Sequence, residues 1–570
     1  MKANTAKNVS LIAIASLGVM ACKPLNKMSK KAEEVNYSVT PNPIEMHGDS
    51  VEITVKGSYP AKYFHKKAVV DIKPAFYADG NNVLDFETIT LVGQDAEGEG
   101  RKVNYDKGGS FTYVTKVPYQ SEIQYGEVKA KVIGKFKSKE KELTEVKVAD
   151  GTIITPNLVH PDDKPILGSD QFKRITTDVH KSEIHYLINS AYVRPAELRD
   201  SDIKELFDAI KEKAKDEKYS FKKLDVSAYA SPDGEISFNE NLADDRAKSA
   251  GDAVKRQLNR SRVKIENESH FMNLVGKGED WSGFKAAMQA SDIEDKNLII
   301  RVLEMYDDKQ KREEEIKNLA ETYEVLKDKI LPNLRRSQLA LSVDKVGKTD
   351  EQIASLAAES PSDLNIEELL YSATLTDDMN AKFDIYQSAV KVYPEDWRGY
   401  NNSGYIKLMQ NDLQAAKNHF GQAEAKSQGN PVIMNNLGVV ARLEGNRAKA
   451  AEYYGKASGA GDEVNYNKGI LNILGGDYAA ATSNLSGFKT LNSALAQLLN
   501  GQNDQALKTI DASDDKTAAK AYYLKAIAGA RSNNKELMMN NLKTAVSKDP
   551  AMKNRAKKDA EFLNFDLSTL

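Results

Sequence analysis

Between residues 37 and 165 the chain alternates apolar and polar side chains with a period of two. Val51, Ile53 and Val55 alternate with Glu52, Thr54 and Lys56, and Val128, Ala130 and Val132 alternate with lysines. Successive side chains of a strand point to opposite faces, so the pattern predicts half-buried strands assembled as a β-sandwich of immunoglobulin type. Asp150-Gly151, set between TEVKVA and TIIT, predicts a hairpin, because glycine accepts the positive φ of a tight turn. The run KFKSKEKE reads as a strand edge protected by charge.

From residue 180 to residue 346 the pattern changes to alternating strands and helices. SEIHYLINSAYV reads as a strand, Ile203, Leu206, Phe207 and Ile210 share one helix face, and KKLDVSAYA reads as the next strand. This β-α-β rhythm predicts an α+β domain, with the charged stretch DDKQKREEEIKNLAETYEVLKDKI as a helical insertion. Beyond residue 363 the sequence aligns with itself at a spacing of 34: Gly404 recurs as Gly438, Ala416 as Ala450, Phe420 as Tyr454 and Ala423 as Ala457. Weaker units carry Gly469, Ala481 and Leu485, then Ala526, Leu542, Ala545 and Pro550, with Tyr386, Ala389 and Pro394 suggesting one more in front. The pattern resembles the tetratricopeptide repeat. That resemblance implies five or six helical hairpins stacked in a right-handed all-α solenoid over residues 363–565, with the aromatic filling the gap between hairpins.

Length and charge add constraints. At 570 residues the chain exceeds what one core organises, and a formal net charge of -3 favours no nucleic acid. Lys2 and Lys7 precede an apolar run from Val9 to Met20, too short to span a bilayer and of signal-peptide length. The run ends in LGVMAC, which resembles a bacterial lipobox, and Cys22 is the single cysteine of the chain. Residues 1–21 are then expected to be a lipoprotein signal peptide and Cys22 the lipidated residue; cleavage after Ala21 leaving a free thiol is the alternative. Acyl chains contribute about 0.8 kcal/mol per buried methylene, enough for stable anchoring when two or three are present. Lys23, in place of an aspartate, points to the outer membrane by the sorting rule of that family. Residues 22–36, lacking periodic apolar positions, read as a flexible lipidated tether.

The stretch SAYASPDGEISFNENLADDRAKSAGDAV resembles the OmpA-like peptidoglycan-binding domain, with Gly234, Asn239, Leu242, Arg246 and Ala247 in register. The resemblance implies a site for the zwitterionic diaminopimelate group of the cell wall, in which Arg246 meets a carboxylate and a loop aspartate meets an ammonium. Here Ser231 stands at the aspartate position and Asp233 lies two residues on, so the site is Ser231, Asp233, Asn239 and Arg246. The alternative is a docking module whose Arg246 forms a structural salt bridge with Asp244 or another neighbour.

In the repeats, Asn401-Asn402 and Asn435-Asn436 fall on matching turns. An asparagine offers a donor and an acceptor, and such a ladder resembles the peptide grooves of tetratricopeptide proteins, which implies a protein partner. Tyr405 and Arg442 are further groove candidates; solvated asparagines are the alternative. The seven histidines show no metal-ligand spacing, and no nucleophile elbow or phosphate loop occurs. HPDD at residues 160–163 reads as a solvated loop between domains. The chain is therefore expected to need no cofactor or metal and to be a non-enzymatic, periplasm-facing lipoprotein of the outer membrane, linking that membrane to peptidoglycan and recruiting a protein. An accessory subunit of an outer-membrane assembly, secretion or uptake complex, and a surface adhesin or fibre-assembly factor, are the alternatives.

Overall fold

A computed structural model describes residues 23–265, 268–318 and 320–570. Cys22 and the apolar run before it lie outside the described residues. The chain divides into two compact units, one made of the chain up to Gly168 together with Tyr393–Leu570, the other Ser169–Val392.

The first unit begins with two sheets around one core. The five-stranded sheet holds β1 (Asn36–Thr40), β2 (Ile44–His47), β3 (Ser50–Tyr59), β8 (Gly109–Pro118) and β11 (Thr152–Ile153). The six-stranded sheet holds β4 (Val69–Ala78), β5 (Asn81–Asp85), β6 (Ile89–Gly93), β7 (Arg101–Val103), β9 (Glu127–Phe136) and β10 (Lys139–Asp150). Val51, Ile53 and Val55 of one sheet and Val128, Ala130 and Val132 of the other are buried in a shared cluster, as the period of two requires. The hairpin expected at Asp150-Gly151 does not form. β11 pairs in parallel with β2, so Gly151 carries the chain from one sheet to the other. A Cβ on Gly151 would stand 2.7 Å from the Gly126 carbonyl oxygen, so close approach, rather than a turn, calls for glycine there.

The tether expectation is also corrected. Lys23–Lys30 is a helix whose Leu25 and Met28, one turn apart, are 1% exposed and belong to the sandwich core. Two apolar residues suffice because the rest of the pocket comes from β9 and β10: Gly134 leaves room for Leu25, and Ser29 Oγ donates to the Leu143 carbonyl at 3.2 Å. The helix covers the lysine-rich edge strand β10.

Five hairpins complete the first unit among the described residues: Trp397–Met409 with Leu413–Lys426, Pro431–Leu443 with Arg447–Lys456, Glu463–Gly475 with Tyr478–Asn484, Leu491–Leu499 with Asn503–Asp511, and Ala519–Arg531 with Lys535–Lys548. The helix Ala551–Lys558 follows. Each hairpin sets a small residue against a large one 16 positions later: Gly404 and Phe420, Gly438 and Tyr454, Gly469 and Leu485, Ala494 and Ile510, Ala526 and Leu542. A Cβ on Gly438 would stand 2.5 Å from the Tyr454 ring. The aromatic therefore fills the gap within its own hairpin, not between hairpins. Sandwich and hairpins are joined: Tyr478 Oη donates to the Met46 carbonyl at 3.2 Å, Arg447 pairs with Asp49 at 2.6 Å, and Thr155 donates to Glu561, which pairs with Arg531.

The second unit is built on β12 (Ile175–His185), β13 (Tyr219–Ala230), β14 (Met272–Glu279) and β15 (Arg336–Val346), in the order β12-β15-β13-β14, with β13 and β14 parallel and the other pairs antiparallel. Helices Ser201–Lys213 and Ile236–Arg260 bury Ile203, Leu206, Ile210, Ala247, Val254 and Leu258 against this sheet. The insertion is helical among the described residues, and its Leu326 and Ile330 pack in a separate core with Trp281, Phe284 and Leu303, which precede it in sequence. The repeat region was expected from residue 363, yet residues 363–392 group with this unit. Phe172 stacks on Tyr371 with ring centroids 4.3 Å apart, and Lys348 pairs with Glu368 at 2.9 Å, so these helices are tied to the ends of β12 and β15.

Truncating Leu25 and Met28 to alanine is expected to lower the unfolding free energy by about 2–5 kcal/mol per residue. Urea denaturation of the chain from Lys23 onward checks this; unchanged stability would restore the flexible tether.

Candidate functional sites

The asparagines of the repeats lie on the first helix of the first four hairpins, two positions before the small residue: Asn402 before Gly404, Asn436 before Gly438, Asn467 before Gly469 and Asn492 before Ala494. All four are buried, as are Asn401 and Asn435. A buried primary amide needs partners for both its oxygen and its nitrogen, and here an extended strand of the same chain supplies them. Residues 160–168, HPDDKPILG, run along the hairpins. Asn402 accepts from the Gly168 N–H at 2.7 Å and donates to the Gly168 carbonyl at 3.0 Å. Asn436 does the same to Ile166, at 2.7 Å and 2.7 Å. Asn467 does so to Lys164, at 2.8 Å and 2.9 Å, and Asn492 to His160, at 2.7 Å and 2.8 Å. Alternate residues of an extended chain turn their N–H and C=O to the same side, which is why positions 164, 166 and 168 are read in turn. The strand runs opposite to the order of the hairpins.

The amides also bond to one another. Asn467 donates to Asn435 at 2.9 Å, Asn435 to Asn436 at 3.2 Å, Asn436 to Asn401 at 2.9 Å and Asn401 to Asn402 at 3.0 Å, a continuous chain through three hairpins. Such chains polarise their members and strengthen each bond. Side chains fix the register. Arg442 grips Asp163 with two parallel hydrogen bonds, and Tyr466 Oη donates to Asp162 at 2.6 Å.

The sequence thus located the ladder and Arg442, while their occupant is the chain itself. HPDD is no solvated loop, because its carboxylates have buried partners. Tyr405 is half-buried and makes no hydrogen bond to the strand among the described residues. Asn467 and Asn492 were missed because their spacings, 31 and 25, depart from 34; their place two before a small residue is the signal that finds them. Leu524 takes that place in the fifth hairpin, and the ladder ends there.

The second site lies where β13 meets helix Ile236–Arg260. Asn239 and Arg246, seven residues apart, share the helix face turned to the sheet. Ser231, Asp233, Asn239 and Arg246 line one cavity of about 360 Å³ together with Ile188, Asn189 and Phe238. Arg246 is 1% exposed and donates to the carbonyls of Ser190 at 2.9 Å, Tyr229 at 2.9 Å and Leu187 at 3.2 Å, its guanidinium 5.0 Å from the Tyr186 ring centre. The alternative salt bridge to Asp244 is replaced by these carbonyls. Burial lowers the Arg246 pKa to about 10, so it stays charged at neutral pH. Asp233 accepts from Ser231 Oγ at 2.5 Å and pairs with Arg335 at 3.2 Å, while Asn239 donates to Glu279 at 3.0 Å. Arg335 and Glu279 were not foreseen, since both come from strand ends distant in sequence.

No protein-family model matches the chain, and no curated protein matches it. Among solved structures, a tetratricopeptide repeat protein from Parabacteroides merdae is 16% identical over 37% of this chain and 90% of its own, with a TM-score of 0.28. PilW, a type IV pilus biogenesis factor, is 17% identical over 34% of this chain and 95% of its own, TM-score 0.29. PilF of Pseudomonas aeruginosa is 13% identical over 37% and 100%, TM-score 0.30. The repeat architecture is read from this chain's own hairpins and their shared spacing.

Asn436→Ala leaves the Ile166 N–H without its ladder partner, leaves its C=O to Asn401 alone and breaks the amide chain. It is expected to lower stability by about 3 kcal/mol, whereas Tyr405→Phe changes it by less than about 0.5 kcal/mol; denaturant midpoints compare the two.

Proposed function

We propose that the chain is a non-enzymatic scaffold of the outer membrane, anchored through lipid on Cys22, whose second unit is an OmpA-like module that seats a carboxylate of peptidoglycan and whose repeats recruit a protein. The observation that carries this reading is the state of Arg246. Its guanidinium is buried and charged, it is held by backbone carbonyls, and no carboxylate pairs with it among the described residues. A buried cation at a cavity wall favours an anion there, since a charge-assisted hydrogen bond contributes about 1.5–3 kcal/mol. Glu235 on the same cavity offers negative charge for an ammonium, next to Asp233 in its pair with Arg335, so a zwitterion fits the cavity as a whole. Tethering to the wall from the outer membrane follows when the lipid holds the other end.

The three carbonyl bonds also favour a second reading, in which Arg246 fastens residues 187–190 to β13 and the unit is a docking module of an outer-membrane complex. Co-sedimentation of the whole chain with diaminopimelate-type sacculi separates the two. The proposal predicts that the parent pellets, that free diaminopimelate releases it, and that a folded Arg246→Ala variant stays in solution. A parent that stays in solution supports the docking reading.

A further inference from the structure

The groove of the hairpins holds a segment of its own chain, and the way that segment is held defines what else fits. Asn402, Asn436 and Asn467 bond to the N–H and C=O of Gly168, Ile166 and Lys164, and Asn492 to those of His160, groups that any extended chain presents. Selectivity for side chains rests on two adjacent carboxylates: Asp163 on Arg442, and Asp162 on Tyr466 and Asn492. Little apolar surface holds the strand, since His160, Pro161 and Leu167 are exposed and Ile166 is half-buried. Departure of the strand breaks all of these bonds at once, and water has to take its place. It can be replaced bond for bond.

We propose that residues 160–168 are an internal pseudoligand and that the groove receives, by exchange, an extended segment of a partner protein bearing two consecutive carboxylates. This rests on reading the repeats as the protein-recruiting element and is independent of wall binding. Exchange keeps the ladder bonds intact; what opposes it is the effective concentration of the tethered strand, of the millimolar order. Arg442 is the lever. Its side chain is 9% exposed and that of Asp163 2%, so removing the Asp163 carboxylate leaves a nearly buried cation unpaired, and a carboxylate from another chain would restore the pair.

The test is a titration of a fluorescent peptide with the sequence HPDDKPILG into the whole chain. The parent is expected to show no saturation below about 1 mM, and Asp163→Ala to bind at least about 10-fold more tightly. Adding Asn436→Ala to that variant, or replacing both peptide aspartates with alanine, is expected to abolish binding. Gly168→Val serves as a second release variant, because a Cβ there would stand 2.7 Å from Arg398 Cγ, and it carries the same expectation if Asp163→Ala does not fold. Folded release variants that bind no better than the parent, or that bind the aspartate-free peptide equally, overturn the proposal. So does a release variant that forms dimers the peptide does not dissolve, which would assign the groove to the strand of a second copy. Sacculus co-sedimentation reads the Arg246 cavity separately, so failure of either proposal leaves the other standing.

Discussion

A buried asparagine amide has to be satisfied on both its oxygen and its nitrogen, and six of them stand in one row along the inner side of the hairpins. Without the strand these bonds would fall to water, one amide at a time. The row therefore requires an extended backbone beside it. Residues 160–168 meet that requirement, and the path of the chain from the sandwich to Gly168 is set by it.

The consequence is an interleaved chain. The sandwich, the strand in the groove and the hairpins form one unit, although the strand and its asparagines are separated by 234 to 332 positions. The second unit is inserted between Gly168 and Tyr393. Contacts of the sandwich with the second hairpin through Arg447, with the third through Tyr478, and with the last elements of the chain through Glu561 hold the strand's starting end in place. A repeat array usually coheres only through neighbouring repeats. Here a single strand bonds to four hairpins in succession and couples them directly.

Much of this was legible locally. The period of two placed Val51, Ile53 and Val55 in the core, the spacing of 34 put Gly438 and Tyr454 at the repeat positions of Gly404 and Phe420, and the paired asparagines announced a ladder. Asn239 and Arg246, named from the resemblance to the OmpA-like domain, line one cavity. What remained hidden depends on partners far along the chain. Leu25 and Met28 look isolated until β9 and β10 supply their pocket, Gly151 looks like a turn until β2 captures β11, and HPDD looks like a solvated loop until Arg442 and Tyr466 meet it. Hydrophobic periodicity reports which face of an element is buried, not which distant segment buries it.

Native-state hydrogen exchange of the amides of His160, Lys164, Ile166 and Gly168 tests the account most directly. If the ladder holds this strand, these four N–H groups exchange as slowly as those in the first helices of the hairpins, because each opens only when a buried asparagine loses its partner. Exchange of all four at the rate of an unstructured linker would contradict the filled groove.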